Sequence, residues 1–180
     1  MLTVKRRKTL SDLMSLPPET RAELIDGEIY MSPAPGLKHQ TAVLRLGRFL
    51  DEHVQPRRLG RVCVAPFDVI LGEETVEPDV LFISAGRIRI LGENRAEGAP
   101  DLVVEVLSPS TEVRDRVVKR DLYAKNGVRE YWIVDVDRKT VEVLKLEKGA
   151  YALQAVFETG DRVASTVLPD LDLSIDRLFE

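Results

Sequence analysis

Two acidic residues stand in apolar runs where a carboxylate has no evident structural use. Glu105 lies within PDLVVEVLSPS, and Asp79 opens the apolar run of EPDVLFIS. An unpaired carboxylate is costly to bury, so its presence in a buried strand suggests that a partner or a ligand compensates it. If the two runs form neighbouring strands, the carboxylates converge, and paired carboxylates are ligands that Mg²⁺ or Mn²⁺ accepts. Asp79 and Glu105 are therefore predicted to hold a divalent cation.

The segment after Glu105 supplies a candidate cationic side chain. Ser and Thr residues at 108–111 are suitable N-caps, and Asn126 with Gly127 is a suitable C-terminal stop, so a helix is predicted over 112–126. The connection between the strand and this helix is short, and the first helical turns should pack back over the strand end. Lys119 is the residue best placed to reach the acids.

The same predicted helix was projected on a wheel at about 100° per residue. Val113, Val117 and Ala124 fall on the stripe expected to face the core. Arg116, Lys119 and Tyr123 fall together on a neighbouring face. One flank of the helix is therefore predicted to be basic and aromatic.

An Asp, a Glu and a Lys at adjacent strand and helix ends fit one reaction class, the metal-dependent hydrolysis of phosphodiesters. Carboxylate oxygens hold the ion, and an ammonium group stabilises negative charge that develops during attack by water. On this basis the catalytic residues are predicted to be Asp79, Glu105 and Lys119.

The elements around these residues indicate a mixed α/β (α+β) chain. Apolar residues on both sides of Asp26-Gly27 predict a tight hairpin. A stripe at helical spacing predicts a long helix from Lys38 to about Gln55, covering the sheet. Strand-like runs follow at GRVCVAPFDVIL, EPDVLFIS and PDLVVEVLS. The last of these, the helix over 112–126 and EYWIVDV are predicted to make a βαβ-like unit, and after Asp137 TVEVLKL and YALQAVFE are predicted to form a C-terminal β-meander.

Length and composition set broader bounds. The 180 residues, of which 44% are hydrophobic and 31% charged, suit one domain over 1–180, with an N-terminal arm and short helix in 1–20. No signal peptide or membrane-spanning run is evident, so a cytoplasmic protein with no membrane partner is expected. The single cysteine, Cys63, excludes an internal disulfide and is expected in the core. A net charge of −4 argues against a protein that passively coats DNA, but not against a nuclease.

The order Pro78-Asp79, then Glu105 on the following strand, resembles the PD-(D/E)XK restriction-endonuclease-like superfamily. The longer stretch from EGAPDLVVEVLSPST through KRDLYAKNGVREYWIVD resembles its bacterial Uma-two branch, and the likeness runs from ELIDGE to LPDLDLSIDRLF. The resemblance implies a mixed central sheet flanked by helices, Mg²⁺ or Mn²⁺ as cofactor, and hydrolysis of nucleic acid, with DNA expected. It also implies a possible homodimer.

The sequence departs from the superfamily pattern at one catalytic position. Two residues after Glu105, where the parent motif places lysine, the chain has Leu107. The resemblance implies a lysine supplied from the following helix, and Lys119 matches it. A second interpretation stays open, in which the chain is an inactive nuclease fold that serves as a module for nucleic-acid or protein interaction.

Several other residues fit the chemistry by type and are given structural interpretations. Asp137-Arg138-Lys139 is the only literal D-x-K and is expected in a hairpin turn. Asp68 is expected to be structural. Glu28 and His39 are expected near the site because the resemblance implies that such residues flank it.

Overall fold

In the computed structural model, which describes residues 6–17 and 19–180, two mixed sheets lie together and helices flank them. The first sheet has the strand order β2-β1-β5-β4-β7. Its strands are β1 (Ala22–Ile25), β2 (Glu28–Met31), β4 (Asp68–Leu71), β5 (Glu74–Val76) and β7 (Arg95–Glu97). Only β4 and β7 run parallel within it.

The second sheet has the order β11-β10-β9-β8-β6-β3. Its strands are β3 (Gly60–Val64), β6 (Val80–Ser84), β8 (Leu102–Val106), β9 (Glu130–Asp135), β10 (Thr140–Glu147) and β11 (Ala150–Phe157). The pair β8 and β9 is parallel, as the predicted βαβ-like unit requires, and β10 and β11 form the predicted meander, with β10 antiparallel to β9. A small third sheet joins β12 (Arg162–Val163) to β13 (Leu173–Ser174).

The remaining regular elements are helices. They are α1 (Leu10–Met14), α2 (Leu37–Arg57), α3 (Arg120–Lys125) and α4 (Ile175–Phe179), with a 3-10 helix at Ala85–Ile90 and a π-helix at Arg114–Lys119. The predicted long helix is confirmed as α2, slightly longer at both ends. No helix of residues 6–17 and 19–180 combines the length and apolar composition needed to cross a bilayer.

The predicted hairpin at Asp26-Gly27 is present between β1 and β2. Both turn residues have positive φ, 52° at Asp26 and 73° at Gly27. Two successive positive φ values define the type I′ turn, whose twist matches that of the flanking strands. The hairpin fixes the register of β1.

The run GRVCVAPFDVIL, expected as one strand, is two strands in different sheets. It breaks after Val64, so that β3 belongs to the second sheet and β4 to the first. Pro66 lies at the break, and proline has no amide proton with which to continue a ladder. The structure therefore has two sheets where a single central sheet was expected. The chain passes between them from β3 to β4 and from β5 to β6.

Alternation along β8 divides the core into two layers. Leu102, Val104 and Val106 pack with α2 and α4, whereas Val103 faces the first sheet and α3. Glu105 follows the same alternation as Val103, because successive side chains of a strand point to opposite faces. The strand therefore directs Glu105 between the two sheets.

Candidate active site

Glu105 is a buried carboxylate near the carboxyl end of β8, with 3% of its surface exposed. Its Oε1 accepts hydrogen bonds from Lys119 Nζ at 2.9 Å and from Tyr123 Oη at 2.6 Å. Both donors come from the helical segment after β8, so this part of the chain folds back over its own strand. Lys119 contacts Glu105, as expected.

Asp79 lies beside Glu105, in the connection from β5 to β6. Its Oδ2 accepts a hydrogen bond from the backbone N–H of Val106 at 2.8 Å, and His39 Nε2 lies 3.2 Å from the same oxygen. Because Val106 directly follows Glu105, the contact brings the two predicted metal-holding carboxylates to one place. His39, from the first turn of α2, lies in the site as the resemblance implied.

Lys119 is buried among acids. Its Nζ lies 2.7 Å from Glu23 Oε1, 2.9 Å from Glu105 Oε1 and 3.7 Å from Asp115 Oδ1. Burial alone would lower the pKa of Lys119, but the charges of Glu105, Glu23 and Asp115 outweigh it and raise the pKa above its usual value. The ammonium group is thus charged at neutral pH.

The buried face of this helical segment differs from the one that the wheel predicted. Asp115, Lys119 and Tyr123 are buried, whereas Val113 and Val117 are 77% and 54% exposed. The wheel assumed an α-helix, but the turn over 114–119 is π-helical and is wound more widely. The predicted core-facing stripe was therefore wrong for Val113 and Val117, whereas its third member, Ala124, packs against the core as expected.

Arg116, predicted on the same flank as Lys119, also points elsewhere. Its guanidinium pairs with Glu112 at 3.1 Å and with Glu142 at 2.8 Å. Arg116 therefore ties the helical segment to β10 and does not join the acidic cluster.

Glu23 is a member of the site that the sequence interpretation missed. It lies on β1 with 1% exposure, and besides Lys119 it accepts a hydrogen bond from the backbone N–H of Glu77 at 3.0 Å. The same signal that singled out Glu105, an acid within an apolar strand, was present in ELI. Glu28, which directly follows the Asp26-Gly27 turn, was expected near the site instead. It is exposed and accepts a hydrogen bond from Tyr30 Oη.

Asp115 was also missed, although it precedes Lys119 by one helical turn. It is 2% exposed, and burial raises the pKa of its carboxyl, partly offset by the positive charge of Lys119. Asp115 could have been found from the sequence, because it lies four residues before the predicted catalytic lysine and side chains at that spacing are neighbours on a helix.

Negative charge exceeds positive charge within this cluster. We define the acidic cluster as four carboxylates around one lysine: Glu23, Asp79, Glu105, Asp115 and Lys119. Burial raises the pKa of Glu105 well above its usual value; Lys119 opposes this rise, while Asp115, Asp79 and Glu23 add to it. Glu23 Oε2 and Asp115 Oδ1 are buried without a hydrogen-bond partner among the described residues. The cluster therefore has unused capacity for a cation.

The residues present fit a magnesium ion that is coordinated partly by the protein and partly by water and the substrate. Within residues 6–17 and 19–180, no three His, Cys, Asp or Glu side chains are arranged as a ready metal cage. Mg²⁺ commonly takes only one or two carboxylates from the protein and completes its octahedron with water and substrate phosphate. Asp79 and Glu105 supply such a pair, and the surplus negative charge favours a divalent cation.

A small cleft of about 120 Å³ gives access to the cluster. Arg114, at its rim, lies 3.6 Å from Glu23 and has its guanidinium 5.2 Å from the centre of the Tyr30 ring. Burial lowers the pKa of His39, but its hydrogen bond to Asp79 and the charge of Asp79 prevail and raise it. The rim thus offers positive groups to an anionic substrate.

The literal D-x-K lies away from the cleft. Asp137-Arg138-Lys139 occupies the turn between β9 and β10, where Lys139 has φ 56° and Asp137 pairs with Lys38 at 2.7 Å. The structure therefore agrees with the hairpin-turn interpretation.

The chain is similar to a known protein family and to a solved structure. The model of the Uma2 family, described as "Putative restriction endonuclease", matches residues 10–176. A crystal structure from Anabaena variabilis, of "a putative nuclease belonging to DUF820", is similar with a TM-score of 0.78 and 27% sequence identity. That similarity covers 95% of this chain and 97% of the other. No curated protein matches the sequence.

Proposed function

The chain belongs to the Uma2 family, and from this premise we propose that it is a metal-dependent endonuclease that hydrolyses phosphodiester bonds of nucleic acid, with DNA as the expected substrate. The observation that carries the proposal is the contact of Lys119 with Glu105, beside Asp79. Asp79 and Glu105 supply the two acids that the reaction needs, and Lys119 supplies the positively charged ammonium group.

Asp79 and Glu105 are proposed to hold Mg²⁺ or Mn²⁺. The bound ion would supply positive charge for the phosphate oxygens and would lower the pKa of a water molecule. Asp79 is fixed by Val106 N–H and His39, and Glu105 is fixed by Tyr123 and Lys119. Every hydrogen bond that Glu105 accepts from the described residues goes to Oε1, which leaves Oε2 for the ion.

Lys119 is proposed to stabilise charge and not to remove a proton. A general base must lose its proton near the working pH, whereas the surrounding carboxylates raise the pKa of Lys119. A charged ammonium beside the reacting phosphate offsets the negative charge that develops as water attacks. Glu23 is proposed as the residue that positions it, since Glu23 lies closest to Nζ.

Local positive charge can bring an anionic substrate to a chain with a net charge of −4. Arg21, His39 and Arg114 all line the cleft. Five acids line the same cleft, so these basic side chains would act together with the charge of the bound divalent cation in attracting phosphate, an interaction that reaches about 10 Å at ordinary ionic strength.

The test is plasmid nicking with Mg²⁺, comparing the wild type with Asp79→Asn, Glu105→Gln and Lys119→Met. We expect cleavage by the wild type and its loss in all three variants. Lys139→Met is the matched control, because it removes the lysine of the literal D-x-K, outside the cleft. Cleavage that persists in Glu105→Gln, or that is lost equally in Lys139→Met, would contradict the proposed site.

The alternative of an inactive interaction module rests on Leu107 at the usual lysine position and on the net charge of −4. Lys119 offers a replacement ammonium, which weakens that argument. Binding of nucleic acid without cleavage in Mg²⁺ or Mn²⁺ would favour the module.

A homodimer, with one site for each strand of a duplex, is also proposed. The edge strand β11 supports it, because Leu153 and Val156 are 56% and 49% exposed there. Light scattering combined with size-exclusion chromatography gives the mass directly, and a monomer at the concentrations used for cleavage would contradict the dimer.

A further inference from the structure

The basic side chains that line the cleft differ in how far carboxylates already occupy them. Among the described residues they are Arg21, His39, Arg114 and Lys119. Arg21 donates hydrogen bonds from both Nε and Nη2 to Glu77 Oε1. His39 is paired with Asp79, and Lys119 with three acids. Three of the four basic groups are therefore held by acids of the protein itself.

Arg114 is the exception, because its amino groups are free. Its Nε lies 3.6 Å from Glu23 Oε2, which is too long for a hydrogen bond, and this nitrogen is buried. The amino nitrogens Nη1 and Nη2 also have no hydrogen-bond partner among the described residues, but they are not buried. They remain accessible within the 13% of the side chain that is exposed. An open pair of amino groups is the fork with which arginine binds phosphate.

Two neighbours hold the Arg114 guanidinium in place. Its centre lies 5.2 Å from the centre of the Tyr30 ring, a cation–π contact. Glu23 contacts Arg114 through Oε2 and Lys119 through Oε1, so one carboxylate lies between an outer and an inner cation. The side chain of Lys119 is only 4% exposed. A guanidinium held in this way loses little freedom when it binds a ligand.

We propose that Arg114 binds a phosphate group of the nucleic-acid backbone through its amino groups, and that it contributes to substrate binding and not to the chemical step. Among the described residues, Arg114 has its one ion pair with Glu23 and none with the proposed metal ligands. A contact made equally in the bound substrate and in the transition state lowers KM without raising kcat. This proposal rests on the proposed nuclease function and assigns the residue that receives its substrate.

The first experiment separates KM from kcat. Cleavage of a fluorescein-labelled DNA oligonucleotide in Mg²⁺ is compared between the wild type and Arg114→Met, which keeps an apolar stem on Tyr30. KM should rise about tenfold, the effect of losing hydrogen bonds to a charged group, and kcat should stay within about twofold. A fall in kcat with unchanged KM would overturn the proposal, because the effect would then act through Glu23 on Lys119.

Arg116→Met is the matched control for this measurement. Arg116 belongs to the same helical segment but pairs with Glu112 and Glu142, outside the cleft lining. Its replacement should leave KM at the wild-type value. An equal rise of KM in both variants would show a general effect of charge on this segment and would overturn the assignment to Arg114.

The second experiment measures how strongly salt weakens the interaction. Each phosphate neutralised by the protein adds about 0.7–0.9 to the slope of log affinity against log salt concentration. The slope of log(kcat/KM) against log[KCl] should therefore be shallower by about this amount in Arg114→Met. A role in folding alone would not change this slope.

Arg114→Lys tests the same contact in a variant that keeps the positive charge beside Glu23. The salt slope should equal that of the wild type, because one phosphate is still neutralised. KM should rise by about two- to fivefold, since an ammonium group cannot form two parallel hydrogen bonds. A wild-type KM in both Arg114 variants would overturn the proposal, whatever their stability in urea.

The outcomes separate this proposal from the nuclease proposal. Cleavage with unchanged KM and salt slope in Arg114→Met would exclude Arg114 from substrate binding and keep the nuclease. If the wild type cuts neither DNA nor RNA, Kd for the labelled oligonucleotide is measured by fluorescence anisotropy over the same salt series. A slope that depends on Arg114 would then keep the phosphate contact and exclude the nuclease. Absence of both cleavage and binding would overturn both.

Discussion

Lys119 and Glu105 are joined at 2.9 Å although they belong to different elements, the π-helix and β8. In the parent motif, the acid and the lysine lie two residues apart on one strand. Here Leu107 occupies that strand position, and the ammonium group reaches the carboxylate from a helical segment above it. An ammonium group therefore reaches the carboxylate although the strand itself carries no lysine at that position.

Lys119→Met should abolish cleavage and also weaken the fold. Loss of one preorganised charge contact commonly reduces the rate by about 10²- to 10³-fold. The variant also leaves Glu23 and Glu105 without their shared cation, and breaking a buried pair costs about 3–5 kcal/mol. Plasmid nicking and urea unfolding measure the two effects. An active variant with unchanged stability would exclude Lys119 from the site.

Glu23→Gln should separate positioning from metal binding. The amide keeps the size of the side chain but weakens its hold on Lys119, so the cleavage rate should fall by about tenfold or more, the scale of a lost charge-assisted hydrogen bond. Mg²⁺ affinity, measured by calorimetry, should change little. A large loss of Mg²⁺ affinity would instead identify Glu23 as a metal ligand.

Mg²⁺ should stabilise the folded protein. At a concentration 100 times its Kd, a ligand that binds only the folded state adds about 2.7 kcal/mol, which raises Tm by roughly 5–10 °C for a chain of this size. Asp79→Asn and Glu105→Gln should lack most of this rise in differential scanning fluorimetry. Asp137→Asn, which changes an exposed turn acid, should retain it.

The metal-free protein should lose stability as pH rises through the pKa of Glu105. That pKa is raised in the folded state by burial and by neighbouring acids, so the folded chain binds more protons than the unfolded chain. Stability from this group is complete below its ordinary pKa of about 4.3 and declines up to the raised value. Urea titrations in EDTA at a series of pH values should show this decline, and Glu105→Gln should reduce it.

Asp101→Ala should damage the fold and leave the chemistry intact. Asp101 is 0% exposed and accepts hydrogen bonds from Ser84 N at 2.8 Å, from Arg129 at 3.1 Å and from Arg87 at 3.3 Å. Loss of this buried acid should cost about 3–5 kcal/mol. The rate per folded molecule should stay near that of the wild type, because Asp101 does not line the cleft. A normal fold with lost cleavage would indicate that Pro100-Asp101, and not Pro78-Asp79, supplies the acid of the site.

Local patterns were sufficient for the parts of the fold that local physics determines. The turn at Asp26-Gly27, the apolar stripe of α2 and the parallel pair around Glu105 each follow from spacing and residue type. The proximity of Lys119 to Glu105 could also be predicted, because a short connection leaves the helix little choice of position.

Two of the failures depended on distant parts of the chain or on helix winding, whereas the break at Pro66 had a local signal. No sequence feature near Glu23 indicates that β1, in the first sheet, will lie opposite β8, in the second. The position of Glu23 beside Lys119 could therefore not be predicted from its neighbours along the chain. The exposure of Val113 and Val117 follows from the π-helical turn, which a wheel at constant angle cannot represent. The break in GRVCVAPFDVIL could have been predicted from the sequence, because Pro66 has no backbone N–H to continue a strand.

The acidic cluster draws Glu23 from one sheet and Glu105 from the other, with Asp79 in a segment that links them. A nascent or partly unfolded chain in which the sheets are not yet docked keeps these acids apart. Such a chain holds at most a fraction of the reacting groups, even if each sheet has formed by itself. Assembly of the proposed site therefore requires docking of the two sheets, and any folding intermediate in which the sheets are still apart lacks it.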